Sequence, residues 1–460
     1  MDGGQANDLS RAGAGETAAL IAAGKLSAVE AATAAIARIE ALDGPINAVV
    51  VRDFERAIEA AHAADARIAS GDRSPLLGVP MTVKDSHNVA GLPTTWGLEH
   101  AKGHIAAEDS VAVTRLKQAG AVILGKTNIP PSLGDWQSAN PIYGRTNNPR
   151  DLTRSPGGSS GGGAAAVASG MVPLEFGSDI GGSIRVPASF CGVIGHKPTW
   201  ELIPSRGHTP PFTPTTGSAV PLGVIGPLAR SVDDLELALS VLAGPEEMEA
   251  RGYTLTLPPP RHARLGDYRV LVLDSHPLAP TSSDIKAAVG DLAERLAGEG
   301  AQVSRASDRL PDFAAQQQVY LAILGGVMSR GARNSPGSAP NDVPSAHDWM
   351  TLIDAQMAYR LAWANLFREI DVVIAPNFGA VAFPHNLEGS MGTRTLTIDG
   401  QPTPYGAQIG WPGVATLPHL PATSVPIATD PSGLPIGVQV IGAHLEDRTT
   451  LAVARMIAAA

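Results

Sequence analysis

Residues Gly157 to Gly192 read GGSSGGGAAAVASGMVPLEFGSDIGGSIRVPASFCG. A glycine-serine turn, Gly157-Gly158-Ser159-Ser160-Gly161-Gly162-Gly163, opens an alanine-rich helical run. A short apolar segment, Met171 to Phe176, follows, and then a second turn, Asp179-Ile180-Gly181-Gly182-Ser183. Two such turns across one helix and one strand can bring two hydroxyls to one point. Glycine suits them because the backbone must adopt φ values closed to other residues and approach a ligand closely. Backbone N–H groups fanned around such a turn bind an oxyanion. A flexible low-complexity linker is the bland alternative. Linkers, however, do not continue into Ile184-Arg185-Val186-Pro187 and Phe190-Cys191-Gly192-Val193-Ile194. A phosphate cradle fits less well, since no Lys-Ser or Lys-Thr follows at P-loop spacing and no Gly-x-Gly-x-x-Gly opens a dinucleotide turn.

Composition supports a folded chain with a large core. Of 460 residues, 44% are hydrophobic and 17% charged, the balance of a globular protein. Fifty glycines and 38 prolines predict many tight turns. A net charge of −10 argues against a nucleic-acid surface. One cysteine, Cys191, excludes an intrachain disulfide. Met1 to Gly15 is polar, without the basic-then-apolar pattern of a signal peptide. No run of about 18 apolar residues predicts a spanning helix. The expectation is a cytoplasmic protein without a membrane or nucleic-acid partner.

Outward from the central stretch, residues 16–42 read as two helices, the second opened by a capping box at Ser27-x-x-Glu30. A third runs from Phe54 to about Ile68. Val79, Met81 and Val83 alternate with Pro80, Thr82 and Lys84, which is strand spacing and leaves Lys84 at a strand's end. Ser110 caps a helix through Gln118, and Ala121 to Leu124 is a buried strand. That βαβ rhythm predicts an α/β fold with a central mixed, mostly parallel β-sheet covered by helices. Ile129 to Pro149 reads as a long ordered loop, and such loops often line sites. Its Trp136 and Gln137 are candidate substrate contacts; the alternative is that they pack the loop. Later come a helix from Val232 to Leu242, a strand at Arg269 to Asp274, a helix at Ser283 to Ala297 and a strand at Ala301 to Ser304. From Asp308 to Asp348 the pattern is irregular, with Gly325-Gly326 and Asn334 to Ser345 suggesting a mobile or pocket-forming insertion. A helix over 346–368, a buried strand at Val372 to Pro376, a hairpin about Asp430-Pro431-Ser432-Gly433 and a helix from Asp447 complete the chain.

A serine hydroxyl is a weak nucleophile until a base takes its proton. Neither serine turn carries a histidine; His87 and His196 lie nearest. Lysine is the alternative base, as in Ser-Lys variants of the triad. It must be neutral to act, and burial lowers a lysine's pKa by disfavouring its charged form. Asp179 and Arg185 flank the second turn as a carboxylate and a guanidinium able to lock it. Cys191 lies among apolar residues and reads as a small buried hydrophobe. No His-Glu-x-x-His or Cys-x-x-Cys occurs, so neither a metal nor a cofactor is expected.

These turns, GGSSGG and SDIGGSIR, stand 24 positions apart between Ser159 and Ser183. Lys84, in GVPMTVKDSHNVAGLPTT, precedes Ser159 by 75. In this the chain resembles the amidase signature family from about Leu26 onward, with a poorly matching middle; GPLARS at 226–231 and the C-terminal PATSVPIATDPSGLPIGVQVIG add to the likeness. The resemblance implies one domain over 1–460, with N-terminal helices at 16–70, a signature core at 78–200, a variable substrate-side region at 205–370 and a C-terminal part at 371–460. It implies a Ser-cisSer-Lys triad: Lys84 as base, Ser159 as bridging serine after a cis Gly158–Ser159 bond, and Ser183 as nucleophile. It further implies an oxyanion hole from the N–H groups of Ile180, Gly181, Gly182 and Ser183, with support from Ser160, Ser178, Asp179 and Arg185. The implied activity is hydrolysis of a C–N acyl bond in a small-molecule amide or carbamate, with esters as a side activity, by a monomer or homodimer. The other readings are the glutaminase subunit of a tRNA-dependent amidotransferase, which needs a partner protein, and a non-catalytic small-molecule-binding protein on the same fold.

Overall fold

The computed structural model of the chain describes residues 9–215, 219–332 and 344–459. Its N-terminal part forms helices α1 (Ala14–Ala22), α2 (Ala28–Ile46) and α3 (Phe54–Ala69). Ser27 opens α2 through the expected capping box. Its hydroxyl accepts the Glu30 N–H at 3.0 Å, and the Glu30 carboxylate accepts the Ser27 N–H at 2.8 Å. A strand absent from the sequence reading, β1 (Val49–Arg52), separates α2 from α3. Next come β2 (Pro80–Lys84), α4 (Val111–Gln118, capped by Ser110) and β3 (Val122–Thr127). The long loop carries only a small ribbon of β4 (Ala139–Asn140) and β5 (Gly144–Arg145).

The central stretch folds as α5 (Gly161–Ala168), β6 (Leu174–Asp179) and α6 (Arg185–Cys191). It is followed by β7 (Ile194–Lys197), β8 (Val224–Ala229), α7 (Val232–Leu242), β9 (Arg269–Val272), α8 (Ser283–Gly298) and β10 (Gln302–Ser304). Then come α9 (Phe313–Ala332), α10 (Ala346–Leu366), β11 (Val372–Pro376), the ribbon β12 (Thr395–Ile398) and β13 (Gln401–Pro404), and α11 (Gly410–Thr416). The hairpin strands β14 (Ala422–Thr429) and β15 (Pro435–Ile441) and helix α12 (Asp447–Ala459) end the described chain.

The irregular segment expected over Asp308–Asp348 is mostly helix. In α9, Phe313, Gln316, Tyr320 and Ile323 are all buried, at helical spacing, and Asp312 accepts the Ala314 and Ala315 N–H groups at 2.8 and 3.2 Å. That packed face outweighs the roughly 1 kcal/mol cost of each helix glycine at Gly325 and Gly326. Of the insertion expected at Asn334–Ser345, residues 334–343 lie outside the described residues.

Among the described residues, eleven strands form one mixed sheet in the order β1-β3-β2-β6-β8-β7-β14-β15-β11-β9-β10. Parallel pairs lie towards the two flanks, β3-β2-β6 and β11-β9-β10. Antiparallel pairs join them through the middle. Met81 and Val83 of β2 pack in one layer with Leu235, Leu239 and Leu451. Val122 and Leu124 pack on the other with Ile39, Ala61 and Val167. Each such buried leucine contributes about 2 kcal/mol relative to exposure. Side chains alternate across a strand, so Thr82 and Lys84 face the layer that holds α5. Among the described residues, no helix is long and apolar enough to cross a membrane.

Candidate active site

Lys84 ends β2 with no exposed surface. Beside it, β6 ends at Ser178 and Asp179, and α5 begins just after Ser159 and Ser160. The helix lies close on the sheet: a Cβ at Gly163 would stand 2.4 Å from Glu175 Cγ. Lys84 Nζ therefore reaches three hydroxyls at once, donating to Ser159 Oγ at 2.7 Å, Ser160 Oγ at 2.9 Å and Ser178 Oγ at 2.9 Å. Burial brings its amine down to about 7, against the opposing pull of Asp179 and Glu175. The Gly158–Ser159 peptide bond is cis.

Ser183 lies on the turn between β6 and α6, and its carbonyl accepts the Ser160 N–H at 3.1 Å. The two glycine-serine turns are thus stitched together. Ser159 is fully buried, whereas Ser183 keeps 5% of its surface. Asp179 and Arg185 pair across the start of α6. Their side chains pair at 2.9 Å, with Arg185 only 1% exposed. Burial alone raises the Asp179 carboxyl, but the charge and hydrogen bonds of Arg185, with Lys197 and the Ile184 N–H, hold it down to about 2. Arg185 also donates to Gln439 Oε1 at 2.6 Å, Thr416 Oγ1 at 3.0 Å and the Pro412 carbonyl at 3.1 Å.

The geometry corrects one expected oxyanion donor. The Gly182 N–H is given to Asp179 Oδ1 at 2.9 Å, and the Ile184 N–H to Oδ2 at 3.1 Å. The N–H groups of Ile180, Gly181 and Ser183 have no acceptor among the described residues. A carboxylate placed to lock the turn consumes the amide between them.

Trp136 and Gln137, read from the sequence as substrate contacts or as loop packing, are both almost wholly buried. Trp136 is 2% exposed. Its indole N–H donates to the Gly181 carbonyl at 2.8 Å, and its ring lies 5.0 Å from Phe378 and 5.2 Å from Tyr405. Gln137, 1% exposed, spends both amide ends on the Asn386 backbone at 2.6 and 2.8 Å. His196 is fixed between Thr423 and Asp447 at 2.9 and 3.1 Å. His87 is buried on Phe176, its Nε2 3.3 Å from the Gly177 carbonyl. Neither meets a serine hydroxyl of the turns. Cys191 is buried, its thiol pushed well up by burial.

Two groups near the site escaped the sequence reading. Tyr320 of α9 donates its hydroxyl to the Ile180 carbonyl at 2.7 Å. Glu175, fully buried beneath α5, accepts the Thr82 and Thr127 hydroxyls. Burial pushes its carboxyl up to about 7. The helical spacing of Phe313, Gln316, Tyr320 and Ile323 was the available signal for the first. A lone carboxylate inside the apolar run Met171–Phe176 was the signal for the second.

The Amidase family profile matches residues 30–335 and 338–451. The A subunit of glutamyl-tRNA(Gln) amidotransferase from Roseiflexus castenholzii (strain DSM 13941 / HLO8) is 34% identical, with 94% of this chain and 92% of the relative covered. A substrate-bound 6-aminohexanoate cyclic dimer hydrolase superposes with a TM-score of 0.79 at 28% identity, over 98% of this chain and 97% of the other. A bacterial aryl acylamidase of the amidase signature family superposes with a TM-score of 0.79 at 26% identity, covering 97% and 95%. A profile match spanning nearly the whole chain, over the turns and lysine just described, makes this protein a member of the amidase signature family, whose hydrolases act on C–N bonds.

Proposed function

We propose that this chain hydrolyses small-molecule amides through Ser183, Ser159 and Lys84, with carbamates and esters as further acyl donors. The observation that carries this reading is a fully buried lysine amine bonded to the Ser159 hydroxyl at 2.7 Å, in a turn stitched to Ser183. Ser183 Oγ adds to the substrate carbonyl carbon, and the carbonyl π pair moves to oxygen. The Ser183 proton passes to Ser159 Oγ as the Ser159 proton passes to neutral Lys84. On collapse the C–N bond breaks, and the proton returns from Lys84 through Ser159 to the leaving nitrogen. Water then adds to the acyl ester, its proton following the same relay, and the acid leaves with Ser183 regenerated. The cost of desolvating Lys84 is what keeps its amine neutral enough to serve.

Intact-mass measurement after a fluorophosphonate tests the nucleophile. One adduct on the native chain, absent in Ser183→Ala, is expected, together with loss of turnover by about 10⁴-fold or more. An adduct that persists in the variant, or activity above roughly a tenth of native, would move the nucleophile elsewhere. The likeness to the amidotransferase A subunit favours a second reading, a glutaminase that needs a partner protein. Turnover of an anilide by the isolated chain would count against it.

A further inference from the structure

The turn from Ile180 to Ile184 alternates between peptides held at both ends and peptides held at one. The Gly181–Gly182 unit is held twice, its carbonyl by Trp136 Nε1 at 2.8 Å and its N–H by Asp179 at 2.9 Å. The Ser183–Ile184 unit is also held twice, by the Ser160 N–H at 3.1 Å and by Asp179 at 3.1 Å. Among the described residues, the other two units are held only by their carbonyls. Gly182 O accepts the Val186 N–H at 2.7 Å, and Ile180 O accepts the Tyr320 hydroxyl at 2.7 Å. In a trans peptide the N–H points opposite the carbonyl. Pinning those two carbonyls therefore aims the two unspent N–H groups, of Gly181 and Ser183, while leaving them unbonded.

Val186 belongs to the turn's own helix, but Tyr320 comes from α9, 140 positions beyond Ile180 along the chain. We propose that Tyr320 is a positioning residue for hydrolysis, holding the Ile180–Gly181 peptide so that the Gly181 N–H, with that of Ser183, receives the developing oxyanion. This rests on the reading of Ser183 as nucleophile. Its own support is geometric. Gln316, one helical turn before Tyr320, donates to the Gly413 and Val414 carbonyls at 3.3 and 3.2 Å and accepts the Trp363 indole at 2.9 Å. The tyrosine ring packs on Gly413, where an added Cβ would stand 3.0 Å from Cδ1. A Cβ at Gly181 would meet Ile409 at 2.9 Å and the Tyr320 hydroxyl at 3.5 Å, so the same contact restricts what can stand at that position.

The test compares Tyr320→Phe with Trp136→Phe. The first keeps the ring and removes the hydrogen bond that holds the Ile180–Gly181 peptide. The second removes more packing, but from a peptide still held by Asp179. For each, kcat and KM are measured on an anilide, together with the inhibition constant of a trifluoromethyl ketone that forms a tetrahedral adduct and that of a non-reactive amide analogue. Tyr320→Phe is expected to lose about 10–100-fold in kcat with KM nearly unchanged. Ketone binding should weaken by a similar factor and amide binding should not. Trp136→Phe is expected to melt lower yet lose less of the ketone-to-amide ratio. An unchanged ratio in Tyr320→Phe, or a larger loss in Trp136→Phe, overturns the proposal. Native turnover and its absence in Ser183→Ala, read in the same assay, show whether the parent reading stands on its own.

Discussion

Lys84 and Lys126 leave neighbouring parallel strands, with Val83 opposite Lys126 in the β2–β3 register. Both side chains are fully buried, and burial lowers both amines, to about 7 and about 8. Their partners differ. Lys84 meets the hydroxyls of Ser159, Ser160 and Ser178. Lys126 meets the Asp85 carboxylate at 3.4 Å, the Thr94 hydroxyl at 2.9 Å and the Pro93 carbonyl. A third buried amine, Lys197, is also brought down to about 7 and bonds its neighbour's carbonyl, Pro198 O, at 3.1 Å. Desolvation is therefore common to all three and does not by itself make a base. What sets Lys84 apart is a shell of three hydroxyls, the first members of the proposed relay, where Lys126 has a carboxylate that favours keeping a proton.

Substitution should separate the two lysines sharply. Lys84→Ala is expected to lower kcat by about 10³–10⁴-fold, read by steady-state turnover; a loss under tenfold would erase the distinction. Lys126→Met should leave chemistry largely intact but destabilise the fold by about 3–5 kcal/mol, because it strands the Asp85 charge in the interior. A lower urea midpoint with kcat retained is the check. The pH dependence gives a smaller effect. In the proposed mechanism neutral Lys84 is the reactive form, and its folded pKa is lowered to about 7, so kcat/KM should rise with pH through that value and then level. A flat profile down to pH 5 would mean that Lys84 does not titrate in the rate. Smallest of all, Glu175→Gln removes a carboxyl, raised to about 7, that holds the Lys84 amine up only where it is ionised. The acid limb should move to lower pH by less than about one pH unit, while the same change should not touch Lys126.

This contrast was only half legible in the sequence. Alternation over Val79–Lys84 gave the strand and its end, and helix caps at Ser27 and Ser110 gave two helix starts, because these signals are local. The lysine's partners come from 75 and more positions away, and they were assigned by resemblance to a family pattern. Lys126 carries no such signal, since nothing nearby in sequence says that Asp85 will face it. The four residues of β1 were too few to show a period beside long helices. Helix α9 was hidden because its sequence, FAAQQQVYLAILGGVMSRGA, carries two adjacent glycines and no charge before Arg330, and polar-apolar contrast is what usually reveals a helical face. Gly182 and Trp136 show the same limit at finer scale: the motif located the turn but did not say which of its amides Asp179 would occupy, or that an indole would hold its carbonyl.

The strand order carries a consequence for the birth of the enzyme. β14 and β15 are synthesised after every other strand described, yet they stand between β7 and β11 and join two wings of the sheet that no other strand pair connects. The Arg185 guanidinium that steadies the Ser183 turn likewise waits for Thr416 and Gln439. A ribosome-bound chain halted before Ala422 would carry Lys84, Ser159 and Ser183 without the closing piece. It should stay unreactive to fluorophosphonate until those two strands emerge, so that translation itself times the onset of activity. Labelling of such halted chains at the native rate would show instead that the N-terminal wing arms itself.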